Sequence, residues 1–386
     1  MTTPPTPQPT PQPTPQAAAR SPLGQLSDAG VSVWLDDLSR ELMSGGQLQD
    51  LIDNHHVVGI TSNPTIFASA LAKGELYEDQ LRDLATQKRS VDEAVFTITT
   101  ADVRQACTIL RPIYERSAGQ DGRVSLEVQP RHARDAAKTI TEARSLWEAV
   151  DQPNAMIKIP ATTEGLEAIT ATVAAGISVN VTLIFSVDRY EDVIDAYMTG
   201  LEQAYEQGRD LSQIRSVASF FISRIDSAVD ARLSEIGTDD AKILRGTAAV
   251  ANAHRAYAAY EKAKESARWQ DLAAVGAYPQ RPLWASTGVK SEALPDTYYA
   301  EQLVAPGTVN TMPGATLTAF EDHGHPRADT LSDSLAEATS ALEELHSIGV
   351  DLDAIAIDLE NEGLQKFRDS WAELGATVDA ELSRAG

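Results

Sequence analysis

Eight short apolar segments, each followed by a longer run of helical period, constrain this chain more than any other feature. The segments span residues 32–36, 57–61, 124–128, 155–159, 178–183, 217–222, 282–286 and 308–311. Short apolar runs bounded by turn-forming residues read as buried strands. Between them, residues 188–205 carry Val193, Ile194, Tyr197, Met198 and Leu201 on one stripe. Residues 135–150 space Ala136, Ile140, Ala143, Trp147 and Val150 in the same way, and 240–263 is an Ala-rich run with Leu244, Ala248, Ala251 and Ala258 at helical spacing. Strands alternating with helices, in a chain of 386 residues, predict an α/β protein: a (β/α)8 barrel of the TIM type. Additional terminal helices are expected at 327–347 and 360–383. A doubly wound open sheet is the structural competitor, weakened because no Gly-rich phosphate fingerprint follows an early strand.

Residues 1–21 are a low-complexity run of Pro, Thr and Gln that cannot bury a core, and a disordered, partly polyproline-II tail is expected there. No linker-like segment interrupts residues 22–386, which are expected to form one barrel domain. The formal charge of -24 argues against a general nucleic-acid or anionic-membrane surface. An anionic small substrate stays compatible with that charge, provided basic residues gather locally. The single cysteine, Cys107, fits a reducing compartment, and its helical apolar setting suits packing rather than nucleophilic chemistry. No run reaches the length of a membrane span and none resembles a secretion signal, so a cytoplasmic protein is expected. Monomer and homodimer are both left open.

Strand parity carries the functional signal. Successive strand side chains point to opposite faces, and the helix-facing parity of a barrel must be apolar. In the first strand Val33 and Leu35 oppose Trp34 and Asp36. In the second, Val58 and Ile60 oppose Gly59, Thr61 and, just beyond, Asn63. In the third, Val124, Leu126 and Val128 oppose Ser125 and Glu127. The fourth sets Ile157 and Ile159 against Lys158. The fifth sets Val179, Val181 and Leu183 against Ser178, Asn180 and Thr182. The sixth sets Ala218, Phe220 and Ile222 against Ser219 and Phe221, and the seventh Leu283 and Ala285 against Trp284 and Ser286. A buried parallel strand is normally apolar throughout, so a polar parity gathered near the C-terminal strand ends points inward, toward the mouth where barrel sites lie. Burying so many polar groups is costly unless they are paired or used.

Lys158 stands out. Burial disfavours the charged form of an amine and makes a neutral nucleophile available. Taken alone, the stretch favours a plainer reading, a buried stem with its tip reaching a rim. The seven histidines (His55, His56, His132, His254, His323, His325 and His346) lack zinc spacing and inward strand positions, so no metal and no cofactor is expected. An amine with two carboxylates suits Schiff-base chemistry on a carbonyl substrate, the carboxylates dividing the acid and base steps.

Seven pieces carry a resemblance: Trp34-Leu-Asp-Asp-Leu-Ser, Gly59-Ile-Thr-Ser-Asn-Pro-Thr-Ile-Phe, Asp121-Gly-Arg-Val-Ser-Leu-Glu-Val, Ile157-Lys-Ile-Pro-Ala-Thr, Val179-Asn-Val-Thr-Leu-Ile-Phe-Ser, Ser219-Phe-Phe-Ile-Ser-Arg-Ile-Asp and Trp284-Ala-Ser-Thr-Gly-Val-Lys. Together, in this order, they resemble the transaldolases, transferases of the pentose phosphate pathway. The resemblance implies that Lys158 forms a Schiff base with a ketose phosphate (sedoheptulose 7-phosphate or fructose 6-phosphate) and holds a dihydroxyacetone unit for an aldose phosphate (glyceraldehyde 3-phosphate or erythrose 4-phosphate). Asp36 would be the acid/base for C–C cleavage, and Glu127 and Thr182 would position a proton-carrying water. Thr61, Asn63, Asn180 and Ser219 would contact the dihydroxyacetone unit. Arg224 would bind the phosphate as a fork.

The chain departs from the pattern after the seventh strand, where Ser286 and Lys290 stand in place of a second phosphate-binding arginine. Lysine is a point charge rather than a fork there. Asp37, next to Asp36, has outward parity. A fructose-6-phosphate aldolase-like lyase is the nearest alternative, and a non-catalytic sugar-phosphate-binding barrel is the alternative from another class.

Overall fold

In the computed structural model, which describes residues 20–385, the eight strands close into one parallel barrel in sequential order. They are β1 (Val31–Asp36), β2 (Val57–Thr61), β3 (Arg123–Glu127), β4 (Ala155–Pro160), β5 (Val179–Ile184), β6 (Ser216–Phe221), β7 (Arg281–Ala285) and β8 (Thr308–Met312). Each lies within one residue of its sequence-derived bounds. Closure of β8 onto β1 rules out the open sheet. The expected Pro/Thr/Gln-rich tail lies outside the described residues except for Arg20 and Ser21, and Ser21 caps a first helix, Pro22–Asp28. Among the described residues no helix is long and apolar enough to cross a membrane.

Helices Val187–Glu206 and Ala136–Val150 follow the predicted stripes. The run at 240–263 is instead two helices, Asp239–Ile243 and Ala248–Glu265. They part where Gly246 takes a φ of 70°, outside helical geometry. The terminal helices also differ from expectation, spanning Leu335–Ser347 and Leu352–Ala385. Residues 327–334 are held off helix by Asp329, whose carboxylate accepts the backbone N–H groups of Leu331 and Ser332 and the Ser332 hydroxyl.

The lower barrel is filled by a polar plug and one large ring. Asp121 accepts from Ser32, Trp34 and Arg281 at 2.9, 3.2 and 3.0 Å. The indole of Trp34 lies across Gly59, where a Cβ would come within 2.5 Å of the ring. That close approach admits only glycine at 59.

Register corrects two parity assignments. β7 pairs Leu283 with Ser219 and Ala285 with Phe221, so Leu283 and Ala285 take the inner face. Trp284 pairs with Phe220 and packs edge-on against its ring at 6.2 Å, on the helix side. With an apolar residue on either parity, β7 offers no alternation from which its facing can be read. In β5 the ladder shifts between Val181 and Ile184, and Leu183 takes a φ of 60°. Its side chain thereby meets the terminal helix at Gly363 rather than continuing the outer row.

Candidate active site at the C-terminal mouth of the barrel

Asp36, Thr61, Lys158 and Ser219, ending or near the ends of β1, β2, β4 and β6, line one cavity of about 210 Å³. Asn63, Arg224, Ser286 and Lys290 line it from the loops and helix starts beyond the strands. Asn180 and Thr182 on β5 and Glu127 on β3 are buried beside them. The strands supply the reason: Glu127 pairs with Lys158 and Lys158 with Asn180 across adjacent ladders, so the three side chains share one face at one level. Of the site residues expected from the sequence, Asp36, Thr61, Asn63, Lys158, Ser219, Arg224, Ser286 and Lys290 line the cavity, and Glu127, Asn180 and Thr182 are buried in the strands.

Lys158 is 4% exposed, its Nζ donating to the Ser62 carbonyl at 3.1 Å and lying 3.4 Å from Glu127 Oε2. Neither Glu127 oxygen has a well-aligned hydrogen bond among the described residues, and the Thr182 hydroxyl has none either. Burial pushes the Glu127 carboxyl up to about 7, the Lys158 ammonium pulling it back and the Asp36 carboxylate adding to the rise. Burial raises Asp36 as well, against the opposing pull of Lys158 and of a 2.7 Å hydrogen bond from Thr61 Oγ1. Two carboxyls whose charged forms burial disfavours thus share the site with the Lys158 amine, an arrangement suited to acid–base chemistry.

The hydroxyl and amide groups are prearranged. Thr61 Oγ1 also lies 2.6 Å from Thr311 Oγ1. Asn180 Nδ2 donates to Ser125 Oγ at 3.0 Å and Asn180 Oδ1 accepts from Ser219 Oγ at 2.7 Å. Asn63 caps the helix Pro64–Ala72, its Oδ1 accepting from the Ile66 N–H at 3.1 Å, which leaves its Nδ2 free to face the cavity. Asp37 is exposed, in keeping with its outward parity.

Arg224, opening the helix Ser223–Ile236, lies with its guanidinium carbon 5.6 Å from the Phe221 ring centroid. Burial pulls its guanidinium below the ordinary value, countered by Glu362. Ser286, just past β7 with a φ of 57°, reaches the mouth through a turn rather than through strand parity. Its Oγ lies 3.0 Å from Ser223 Oγ. Lys290 is exposed at the rim.

Sequence reasoning missed Thr311, Lys366 and Phe367, all of which line the cavity. Thr311, one residue before the end of β8, lies opposite Trp34 on the inner face, so extending the parity argument to the eighth strand would have found it. Lys366 and Phe367 come from the terminal helix, and nothing in a helical stripe tells where that helix docks. The Phe367 ring centroid lies 5.8 Å from Lys158 Nζ. No group of three or more His, Cys, Asp and Glu side chains suited to a metal occurs among the described residues.

Residues 33–378 match the family described as transaldolase/fructose-6-phosphate aldolase. The chain is 57% identical to a transaldolase of Frankia alni, covering 95% of this chain and 99% of the relative. It is 60% identical to a transaldolase of Thermobifida fusca, covering 94% and 99% respectively. A protein named transaldolase 2 of Streptomyces coelicolor is 54% identical, with 94% and 97% covered.

Proposed function

The chain belongs to the transaldolase/fructose-6-phosphate aldolase family and is a transferase, and from that premise we propose that it moves a dihydroxyacetone unit between sugar phosphates through a Schiff base on Lys158. The donor is a ketose phosphate such as sedoheptulose 7-phosphate or fructose 6-phosphate. The acceptor is an aldose phosphate, glyceraldehyde 3-phosphate or erythrose 4-phosphate. The observation that carries this reading is the buried Lys158 amine, 3.4 Å from a carboxyl raised to about 7 and sharing its cavity with Asp36.

Glu127 takes a proton from Lys158, and the neutral amine attacks the ketone carbon of the donor. The resulting carbinolamine loses its hydroxyl as water when Glu127 returns the proton, with the Thr182 hydroxyl holding the water that carries it. Asp36 then accepts the proton of the C4 hydroxyl. The C3–C4 bond breaks, its electron pair flows into the iminium, and the aldose phosphate leaves. A dihydroxyacetone enamine remains on Lys158, with Asn63, Asn180, Thr61 and Ser219 hydrogen-bonding its hydroxyls. Phe367, above the amine, restricts water from that enamine. An incoming aldose reverses the steps, Asp36 giving its proton to the new alkoxide. Arg224 with Ser286 and Lys290 holds the phosphate.

Transfer is tested by acceptor dependence. Fructose 6-phosphate should be consumed only when erythrose 4-phosphate is present, giving sedoheptulose 7-phosphate. Release of free dihydroxyacetone without acceptor at a comparable rate would instead make the protein a lyase. The single buried Cys107 suits a reducing compartment, and we assign the reaction to the cytoplasm.

A further inference from the structure

The terminal helix Leu352–Ala385 presents Ala356, Leu359, Gly363, Lys366, Phe367 and Ser370 at the spacing of one helical face. All but Lys366 are buried. Two contacts fix how closely this face sits on the barrel. A Cβ on Gly363 would stand 2.9 Å from Leu183 Cδ2 and 3.4 Å from Arg224 Nη1, so glycine there lets the helix press onto the end of β5. Seven residues on, Ser370 Oγ lies 2.8 Å from Thr65 Oγ1. Between these anchors Lys366 and Phe367 project over the mouth cavity.

Lys366 is the charged position in that row, lining the cavity with Arg224 and Lys290, while Glu362, one turn back, also acts on Arg224. Its ammonium is held below the ordinary lysine value, first by burial and then by Arg224 and Lys290, with no carboxylate offsetting them. The chain carries 56 acidic and 32 basic residues, so three cations gathered from the helix after β6, the β7 loop and the terminal helix run against its overall charge. Such a cluster is a site for an anion. Arg224 offers a planar fork and the two lysines offer mobile point charges.

We propose that Lys366 is a third cation on the substrate phosphate and a specificity-determining residue for phosphorylated over unphosphorylated ketoses. It rests on the reading of this mouth as a sugar-phosphate site. Lys366, Lys290 and Arg224 line the same cavity and together would meet the phosphate.

The test compares Lys366→Met and Lys366→Arg with the parent full-length chain in three measurements. In Lys366→Met the KM for fructose 6-phosphate should rise about tenfold with kcat within about threefold, and inhibition by inorganic phosphate should weaken about tenfold. Lys366→Arg should restore both. kcat/KM for unphosphorylated fructose should be unchanged in either variant, as should borohydride trapping of dihydroxyacetone on Lys158. Unaltered phosphate inhibition in Lys366→Met would overturn the assignment, and so would an equal loss with fructose, which marks a general packing role. Should Lys366→Met not fold, Lys366→Gln with Lys366→Arg gives the same contrast. Phosphate inhibition reports on Lys366 even if no adduct ever forms on Lys158, so failure of the Schiff-base reading is seen separately.

Discussion

Glu127 Oε2 lies 3.4 Å from Lys158 Nζ, and neither oxygen of that carboxylate has a well-aligned hydrogen bond among the described residues. A buried, under-satisfied carboxylate beside a buried amine is costly as structure and useful as a proton relay. Its titration is accessible to experiment in two ways.

Burial lifts Glu127 from 4.5 to about 7. The folded protein therefore holds this proton more tightly than the unfolded chain, and its contribution to stability falls as pH rises through that window. Urea midpoints of Glu127→Gln at about pH 5 and about pH 7.5 should differ less than those of the parent. A parent-like difference would mean that Glu127 is not raised. In activity, the parent's Schiff-base formation should increase with pH around 7, and Glu127→Gln should lose about a hundredfold or more in turnover together with that inflection.

Asp36 is assigned to C–C cleavage, not to imine formation. Asp36→Ala should therefore form the adduct with fructose 6-phosphate and fail to release it, so that a reduced sugar adduct accumulates in intact mass spectra. An adduct-free Asp36→Ala protein, still folded, would move Asp36 to an earlier step.

Asn63 holds two tasks that one substitution separates. As a helix cap Asn and Asp are nearly equivalent, so Asn63→Asp should keep stability within a few tenths of a kcal/mol. Placing a carboxylate there, where an amide faces an anionic substrate, should lower kcat/KM about tenfold or more. Asn63→Ala should lose activity and about 1 kcal/mol of stability together. A fully active Asn63→Asp protein would reduce Asn63 to a cap.

Gly59 and Trp34 are packed as a unit, with a Cβ at 59 reaching 2.5 Å from the indole. Gly59→Ala should cost about 1–3 kcal/mol in chemical denaturation. Combining it with Trp34→Leu should cost less than the two separate losses added, since both act on the same space. Strict additivity would mean that the ring can move aside.

Much of this was legible in the sequence because a barrel strand has two inequivalent faces. Asp36, Glu127, Lys158, Asn180 and Ser219 each interrupt an apolar run at the parity facing the axis, and the strand bounds followed from the same runs. What was not legible has physical causes. Both faces of β7 are buried and both parities carry apolar residues, so the facing of Trp284 was decided only by its register against Phe220. Ser286 reaches the mouth through a left-handed turn, which alternation cannot express. Lys366 and Phe367 sit on a helix whose docking depends on Gly363 meeting Leu183, a contact between residues 180 positions apart. The helix break at Gly246 and the Asp329 turn are local events that an apolar stripe runs straight through.

The most direct measurement is borohydride reduction in the presence of fructose 6-phosphate, followed by peptide mass mapping, on the parent and on Lys158→Met. A three-carbon adduct confined to the peptide carrying Lys158, absent from a folded and inactive Lys158→Met protein, is the predicted result. No adduct on folded parent protein, or turnover by Lys158→Met comparable to the parent, would contradict Lys158 as the nucleophile and leave the mouth as a binding site without covalent chemistry.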